Sequence, residues 1–437
     1  MAQLATSLKR FGLSDRLIRR NPLYYPRARR LLREFDALDA AAREAWRRSR
    51  TQRILAAARA TDYGRRVGVP ESLADWPLLE KPALRERPAD FLARPAFLSV
   101  SAATSGTTGM PLQLRRSFEC VAYEQAVIDH LMEIGGADRH CRAAVLRGDD
   151  IKDPRDREAP FWRLTHGGRR MVFSSNHLDA ATLPHFVAAL REYAPEVIFA
   201  YPTVLESLCS LMLEHGDELH VPLTMCGSEV LTPATSQIAR RALHTRVLAW
   251  YGQAERVAWA QGNPEDGFRF LGSYSVNELQ RVESPDDRPV DGTETYELIG
   301  TGLWNEAMPL VRYRTGDQVR LRQGSDPRAV AAGVETFHSV IGRSGDYLVA
   351  PSGARLMGID HIPRNVPHLV RTQFIQESAD SITLLVVPAP GFDEECRRML
   401  LQHAALKLPP SMKVRIETTT QLVRNASGKA PLVVRQV

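Results

Sequence analysis

From about residue 98 to residue 252 the chain alternates short apolar runs with stretches of helix length. The runs are FLSV, AAVLRG, RMVFSS, EVIFAY, LTMCGS and RVLAWYG, and residues 181–193, 203–215 and 233–243 lie among them as helix-like stretches. Runs of this kind suit strands buried on both faces, and strands that alternate with helices pair in parallel through helical crossovers. The region is therefore predicted to be α/β. Upstream, Leu31, Leu32, Phe35, Leu38, Ala42 and Trp46 recur at three- and four-residue steps and predict helices over 28–60. Pro70, Pro77 and Pro82 make 61–97 a stretch of turns and short helices. Downstream, 262–293 is turn-rich, and ETYELIG, PLVRYRTG and QVRLRQG read as antiparallel strands. Past Ile341 a smaller unit follows, with a strand (SITLLVVP), a helix (DEECRRMLLQHAALK) and another strand (KVRIETT). The expected division is a large domain over 1–341, its first ninety residues a mostly helical lead-in, and a small domain over 342–437.

Composition narrows the class. The 437 residues are 44% hydrophobic and 25% charged, as in a folded globular chain rather than a disordered or collagen-like one. No apolar run reaches the length of a membrane span, and the N-terminus lacks the apolar core of a secretory signal. Five scattered cysteines with no C-x-x-C spacing give neither a disulfide framework nor a zinc knuckle, and point to a reducing cytoplasm. Of the net charge of +6, residues 1–60 contribute a surplus of ten, with fifteen basic and five acidic residues. A solvated Arg-rich helical face accounts for that surplus more simply than a patch for an anionic partner. No nucleic-acid motif accompanies it, so no nucleic-acid partner is expected.

The sharpest chemical signal is Thr104-Ser105-Gly106-Thr107-Thr108-Gly109-Met110-Pro111, directly after a strand-like run. A loop this rich in glycine and hydroxyl groups can turn backbone N–H groups and hydroxyl donors toward phosphate oxygens. It is not a Walker loop, because Met110, Pro111 and Leu112 stand where a Lys-Ser/Thr pair would open a helix. Ser427-Gly428-Lys429 fails the same pattern, having Val423 at the upstream glycine position and Ala430 after the lysine.

Further motifs follow in order: Tyr251-Gly252-Gln253-Ala254-Glu255, Tyr313-Arg314-Thr315-Gly316-Asp317, Gly342-Arg343-Ser344-Gly345-Asp346 and Ser427-Gly428-Lys429. Together with the phosphate loop they resemble the ordered motifs of the adenylate-forming superfamily. That superfamily comprises acyl-CoA synthetases, peptide-synthetase adenylation domains and luciferases. The chain length and the segment Cys226-Gly227-Ser228-Glu229-Val230-Leu231 resemble its phenylacetate–CoA ligase branch, and within it the capsule-biosynthesis adenylating proteins. The resemblance runs from about residue 90 to the C-terminus.

The resemblance implies a large adenylate-forming domain with mixed and parallel sheets and a small, mobile α+β C-terminal domain. It implies a ligase that joins ATP and a small carboxylic acid into an acyl-adenylate, releasing pyrophosphate, then passes the acyl group to CoA. A phosphopantetheine carrier protein or an amine is the alternative acceptor. The loop Thr104–Gly109 would hold the β- and γ-phosphates, and Glu255 would ligate Mg²⁺. Asp317 and Arg343 would grip the ribose, Gly227, Ser228 and Tyr251 would line the adenine slot, and Glu229 and Gly252 would also be ATP-binding. Lys429 would reach the α-phosphate, with Gly345 and Asp346 as hinge. Tyr201 and Trp250 would shape the acid pocket, for which the family analogy favours an aromatic acid. Each of these charged residues has a glycine beside or near it, at 252, 316, 342 and 428.

The chain departs from the superfamily pattern in places. Ala254 replaces the threonine that often precedes the glutamate, Met110 and Leu112 stand where the loop often has lysine, and Gly345 replaces the usual Asp or Lys hinge. Residues 260–280 contain no Cys or His, so the zinc site of some relatives is not expected. A catalytically weakened nucleotide-binding protein is the alternative these departures leave open. Oligomeric state is not readable, a dimer being a common outcome for soluble enzymes.

Overall fold

The computed structural model describes residues 15–103, 112–147, 151–153, 156–282, 292–341, 347–353, 355–356, 359, 362–363, 366–388, 391–419, 422–423 and 431–436. Four helices lead: α1 (Tyr25–Ala37), α2 (Ala40–Arg59), α3 (Asp62–Arg66) and α4 (Lys81–Glu86). A hairpin of β1 (Val100–Ala103) and β2 (Gln113–Arg116) comes next, flanking the 104–111 segment. The FLSV run is thus not a strand: Ala96–Leu98 is a 3-10 turn, and the strand begins at Val100.

Helix α5 (Phe118–Ile134) starts at Ser117, whose hydroxyl accepts from Cys120 N at 3.1 Å. Beyond it lies an eight-stranded sheet of β3 (Ala143–Leu146), β4 (Trp162–Thr165), β5 (Arg170–Phe173), β6 (Val197–Ala200), β7 (Leu223–Gly227), β8 (Arg246–Gly252), β9 (Trp259–Asn263) and β10 (Gly267–Phe270). Their spatial order is β10-β9-β8-β7-β6-β3-β5-β4, with β5, β3, β6, β7 and β8 parallel. Helices α6 (Leu183–Tyr193), α7 (Pro202–His215) and α8 (Pro233–Leu243) make the crossovers. Both α7 and α8 open on a proline, whose fixed φ and missing N–H suit the first helical turn.

Period-two alternation divides each central strand between two cores. Ile198, Ala200, Cys226, Val247 and Ala249 face α6, α7 and α8. Val197, Phe199, Met225, Leu248 and Trp250 face α5 and α1 on the other side.

A second, antiparallel sheet runs β11 (Ser275–Arg281), β12 (Thr293–Gly302), β13 (Tyr313–Arg322) and β14 (Ser339–Ile341), with α9 (Pro327–Ala331) before β14. The turn-rich reading of 262–293 therefore misses β10 and β11: the β9–β10 hairpin holds the first turn, and residues 283–291 lie outside the described residues. The runs PLVRYRTG and QVRLRQG become a single strand, β13, continuous through Gly316. The C-terminal part has a small pair, β15 (Leu348–Val349) and β16 (Arg355–Leu356). It also has a four-stranded sheet of β17 (Leu369–Ser378), β18 (Ser381–Pro388), β19 (Lys413–Thr418) and β20 (Val433–Arg435), ordered β19-β18-β17-β20. Helix α10 (Glu394–Ala405) crosses between the parallel pair β18 and β19, and Phe374, Leu384, Leu400 and Met412 belong to a cluster built only from this region. The chain is thus an α/β protein, α+β overall.

The N-terminal arginines are not simply a solvated face. Arg20 binds Asp129 through Nε at 3.0 Å and Nη2 at 2.7 Å, and Arg29 Nη2 reaches both Glu133 oxygens at 2.5 and 2.6 Å. Arg47 Nη1 donates to Ala332 O at 3.1 Å, and Arg53 Nη2 to Glu306 at 2.6 Å. Arg50 lies 3.9 Å from the Trp304 ring and donates to Leu303 O at 2.9 Å. Much of the charge surplus therefore pins α1 and α2 onto α5 and the second sheet.

Candidate active site

The strand sequence changes direction at β3: the chain moves to β5 on one side, then crosses to β6, β7 and β8 on the other. In open α/β sheets the crevice beyond the carboxyl ends of the strands at such a reversal is where ligands bind. The residues that end these strands are Arg147 after β3, Tyr201 after β6, Gly227 and Ser228 at β7, and Tyr251 and Gly252 at β8. Tyr201 N donates to Leu146 O at 3.0 Å, which ties two of these ends together. Ser228 has φ 72°, an uncommon value for a residue with a side chain, so the chain turns sharply off β7. Glu229 follows, and its Oε2 accepts from Thr203 N (3.0 Å) and Thr203 Oγ1 (2.8 Å) at the start of α7. That oxygen is engaged in holding the helix terminus.

Asp317 is brought to this edge by a bulge. Glu297 pairs with Gln318 and Ile299 with Arg314, so one residue of β12 faces three of β13. Gly316 takes the extra turn at φ 75°, a conformation that costs a side-chain-bearing residue. Thr315 Oγ1 stitches the bulge, donating to Leu298 O at 2.7 Å and accepting from Asp317 N at 3.0 Å. The carboxylate then meets β8, where Tyr251 Oη donates to Asp317 Oδ2 at 2.7 Å. Burial, then the Asp317 charge, push the Tyr251 phenol well above its ordinary value, so it stays a neutral donor.

Glu255 sits in the turn after β8, 6% exposed. Tyr313 Oη donates to its Oε1 at 2.9 Å, and Lys81 Nζ lies 3.3 Å from the same oxygen. Burial, then Glu255, hold the Tyr313 phenol protonated too. Lys81 is delivered by backbone pairing. Leu79 N donates to Arg312 O and Arg314 N to Leu79 O, each at 3.0 Å, so α4 begins beside the start of β13. Neither Lys81 nor the role of Tyr313 was legible from the motifs. One signal was available: of the 57 basic residues only six are lysine, so a lysine is the rarer choice of cation in this chain. Leu112, which replaces a loop lysine, is fully buried in a cluster with Leu79, Leu84 and Tyr313. The carbonyl of Ala254 accepts from Arg116 at 3.1 and 2.6 Å.

Thr104, Ser105, Gly106, Thr107, Thr108 and Gly109, the hinge residues Gly345 and Asp346, Arg343 and Lys429 lie outside the described residues. Among the described residues no group of three or more His, Cys, Asp or Glu is assembled for a metal. A single buried carboxylate is nonetheless a donor set that suits Mg²⁺ arriving with a nucleotide, since this ion keeps waters and phosphate oxygens as its other ligands. No helix among the described residues is long and apolar enough to cross a membrane.

The model of the CapK C-terminal domain family matches residues 348–436. Protein CapK of Staphylococcus aureus is 21% identical over 373 residues, covering 84% of this chain and 79% of that protein. The phenylacetate-coenzyme A ligase of Escherichia coli (strain K12) is 28% identical over 294 residues, 63% of each chain. Among solved structures, 2-hydroxyisobutyryl-CoA ligase, in complex with 2-HIB-AMP and CoA in the thioesterification state, shares the fold. Its TM-score is 0.51 at 17% identity, over 91% of each chain. The chain is thus similar to CapK and to phenylacetate-coenzyme A ligases, in keeping with the resemblance its ordered motifs carry, and it shares the fold of an acyl-CoA ligase.

Proposed function

We propose that the protein activates a small carboxylic acid with ATP and then transfers the acyl group to a thiol, CoA being the first choice. A carboxylate oxygen of the acid attacks the α-phosphorus. The bond to the bridging oxygen breaks, and pyrophosphate leaves with the electron pair. In the second step a thiolate attacks the acyl carbon and AMP departs with the oxygen that came from the acid.

One observation carries this reading. Two carboxylates stand at the carboxyl edge of the parallel sheet, Asp317 held by Tyr251 and Glu255 held by Tyr313 and Lys81. Neutral phenols orient both without cancelling their charge. Asp317 is thereby presented as an acceptor for ribose hydroxyls, and Arg343 would add a donor there. Glu255 would hold Mg²⁺, which offsets triphosphate charge when bound. Gly227, Ser228, Tyr251 and Gly252 would border the base. Lys81 supplies a cation close to where the triphosphate would lie, in a chain whose loop 104–109 has no lysine. Lys429 would reach the α-phosphate from the small domain, 342–437, which would turn about Gly345 and Asp346 between steps. Attack on phosphorus is governed by positioning and charge neutralisation, which is what this set of residues offers.

The test is ATP–pyrophosphate exchange over a panel of acids. Exchange is expected with at least one acid and is expected to fall about a hundredfold or more in Lys429→Ala. No exchange with any acid, or an unaffected Lys429→Ala enzyme, contradicts the proposal.

A further inference from the structure

Two glutamines, Gln373 and Gln376, are fully buried in β17, an inner strand of the C-terminal sheet. A buried amide costs stability unless its donors and acceptor are met, so each needs a partner that only a polar group can hold. Gln373 meets two segments at once. Val423 N donates to its Oε1 at 2.8 Å, while its Nε2 donates to Val423 O at 2.8 Å and to Pro431 O at 2.9 Å. The N–H of Val423 needs an acceptor and the two carbonyls need donors, so only one orientation of the amide fits. Gln376 makes the same paired contact with a different segment: Val349 N donates to its Oε1 at 2.9 Å, and its Nε2 donates to Val349 O at 2.6 Å.

Val423 and Pro431 flank the stretch that carries Lys429. Residues 424–430 lie outside the described residues, but both flanking carbonyls are drawn to a single side-chain nitrogen. Lys429 is two residues from Pro431, and two residues of chain span at most about 7 Å. A strand that served only its own core would carry an apolar residue at so buried a position, as it does next door at Phe374. Such a side chain would leave Val423 and Pro431 unheld. Resting on the acid-activating function proposed above, in which Lys429 reaches the α-phosphate, we infer that Gln373 is the positioning residue for that lysine. It acts through Lys429 rather than on the substrate. Its amide fixes both ends of the lysine-bearing stretch against β17, so that less conformational freedom is lost when the ammonium meets the phosphate. Gln376 supplies the matched comparison: an equally buried amide on the same strand, bonded to Val349 instead.

The experiment has two readouts, on wild type, Gln373→Met, Gln373→Glu and Gln376→Met. The first is lysine labelling by acetic anhydride, with and without saturating MgATP, read by mass spectrometry. MgATP is expected to slow labelling of Lys81 and Lys429 about tenfold in wild type. Gln373→Met keeps the protection of Lys81 and loses that of Lys429. Gln373→Glu, which retains length and the acceptor for Val423 N, keeps part of it, and Gln376→Met keeps both. The second readout is ATP–pyrophosphate exchange, which Gln373→Met is expected to slow about ten- to a hundredfold. The double variant with Lys429→Ala should be no slower than Lys429→Ala alone, because one residue acts through the other. Losses that multiply in the double variant, protection lost at both lysines, or an equal loss in Gln376→Met mean a purely structural role and overturn the inference. Protection of Lys429 that survives Gln373→Met overturns it as well, and leaves acid activation standing. Gln373-dependent protection without exchange for any acid upholds the inference while contradicting acid activation. Lys429 unprotected in wild type, with Lys429→Ala exchanging as fast, contradicts both.

Discussion

The charges of the N-terminal helices and those of the candidate site are held in opposite ways. Arg20, just before α1, meets the full counter-charge of Asp129, and Arg29 within α1 meets that of Glu133. Such pairs are neutralised within the fold and act as fasteners. At the site the carboxylates of Asp317 and Glu255 are each oriented by a phenol, which contributes a hydrogen bond but no charge. Beside Glu255 the cation is Lys81, whose side chain is 30% exposed. A full counter-charge locks a residue into the fold, while a phenol orients a carboxylate without adding charge of its own.

Substitutions can break that contrast. The largest effect is expected for Glu255→Gln, which keeps shape and removes charge: exchange falls about a thousandfold with the melting temperature held. Lys81→Met should lower exchange about a hundredfold if Lys81 meets the triphosphate, read as kcat against the KM for ATP. If Lys81 only anchors Glu255, Lys81→Met raises the demand for Mg²⁺ instead. Tyr251→Phe removes one neutral donor to Asp317, and a roughly tenfold rise in the KM for ATP is expected. On the fastening side, Arg29→Met should leave exchange unchanged and lower stability by about 1–2 kcal/mol, since Glu133 is partly exposed. A denaturation midpoint that does not move, or a loss of exchange, would erase the distinction.

Alkaline pH sharpens the same comparison. Burial raises the Cys226 thiol to about 12, and burial followed by the neighbouring carboxylates raises Tyr251 and Tyr313. The folded chain therefore keeps protons that the unfolded chain releases from about pH 8.5–10 upward. Stability from these groups is complete below that range and declines as pH rises toward 12, which thermal melts across pH 8–12 can follow.

The parallel sheet was legible because apolar runs such as EVIFAY and LTMCGS are continuous, and only a strand covered on both faces needs that. The Asp317 bulge was half legible. The glycine beside an acid was visible, but the merging of two apparent strands through it depends on pairing with β12. Lys81 was hidden because its position follows from Leu79 zipping onto β13, a contact between segments more than two hundred residues apart. The fastening arginines were misread for the same reason: a helix shows which residues share a face, not which carboxylate waits opposite.

The central claim is that the acid's own oxygen attacks the α-phosphorus. It is tested most directly by supplying an acid labelled with oxygen-18 in its carboxylate, together with ATP and the thiol acceptor, and weighing the AMP formed. The account predicts one labelled oxygen in AMP. Unlabelled AMP, or label in orthophosphate with ADP as product, would contradict it.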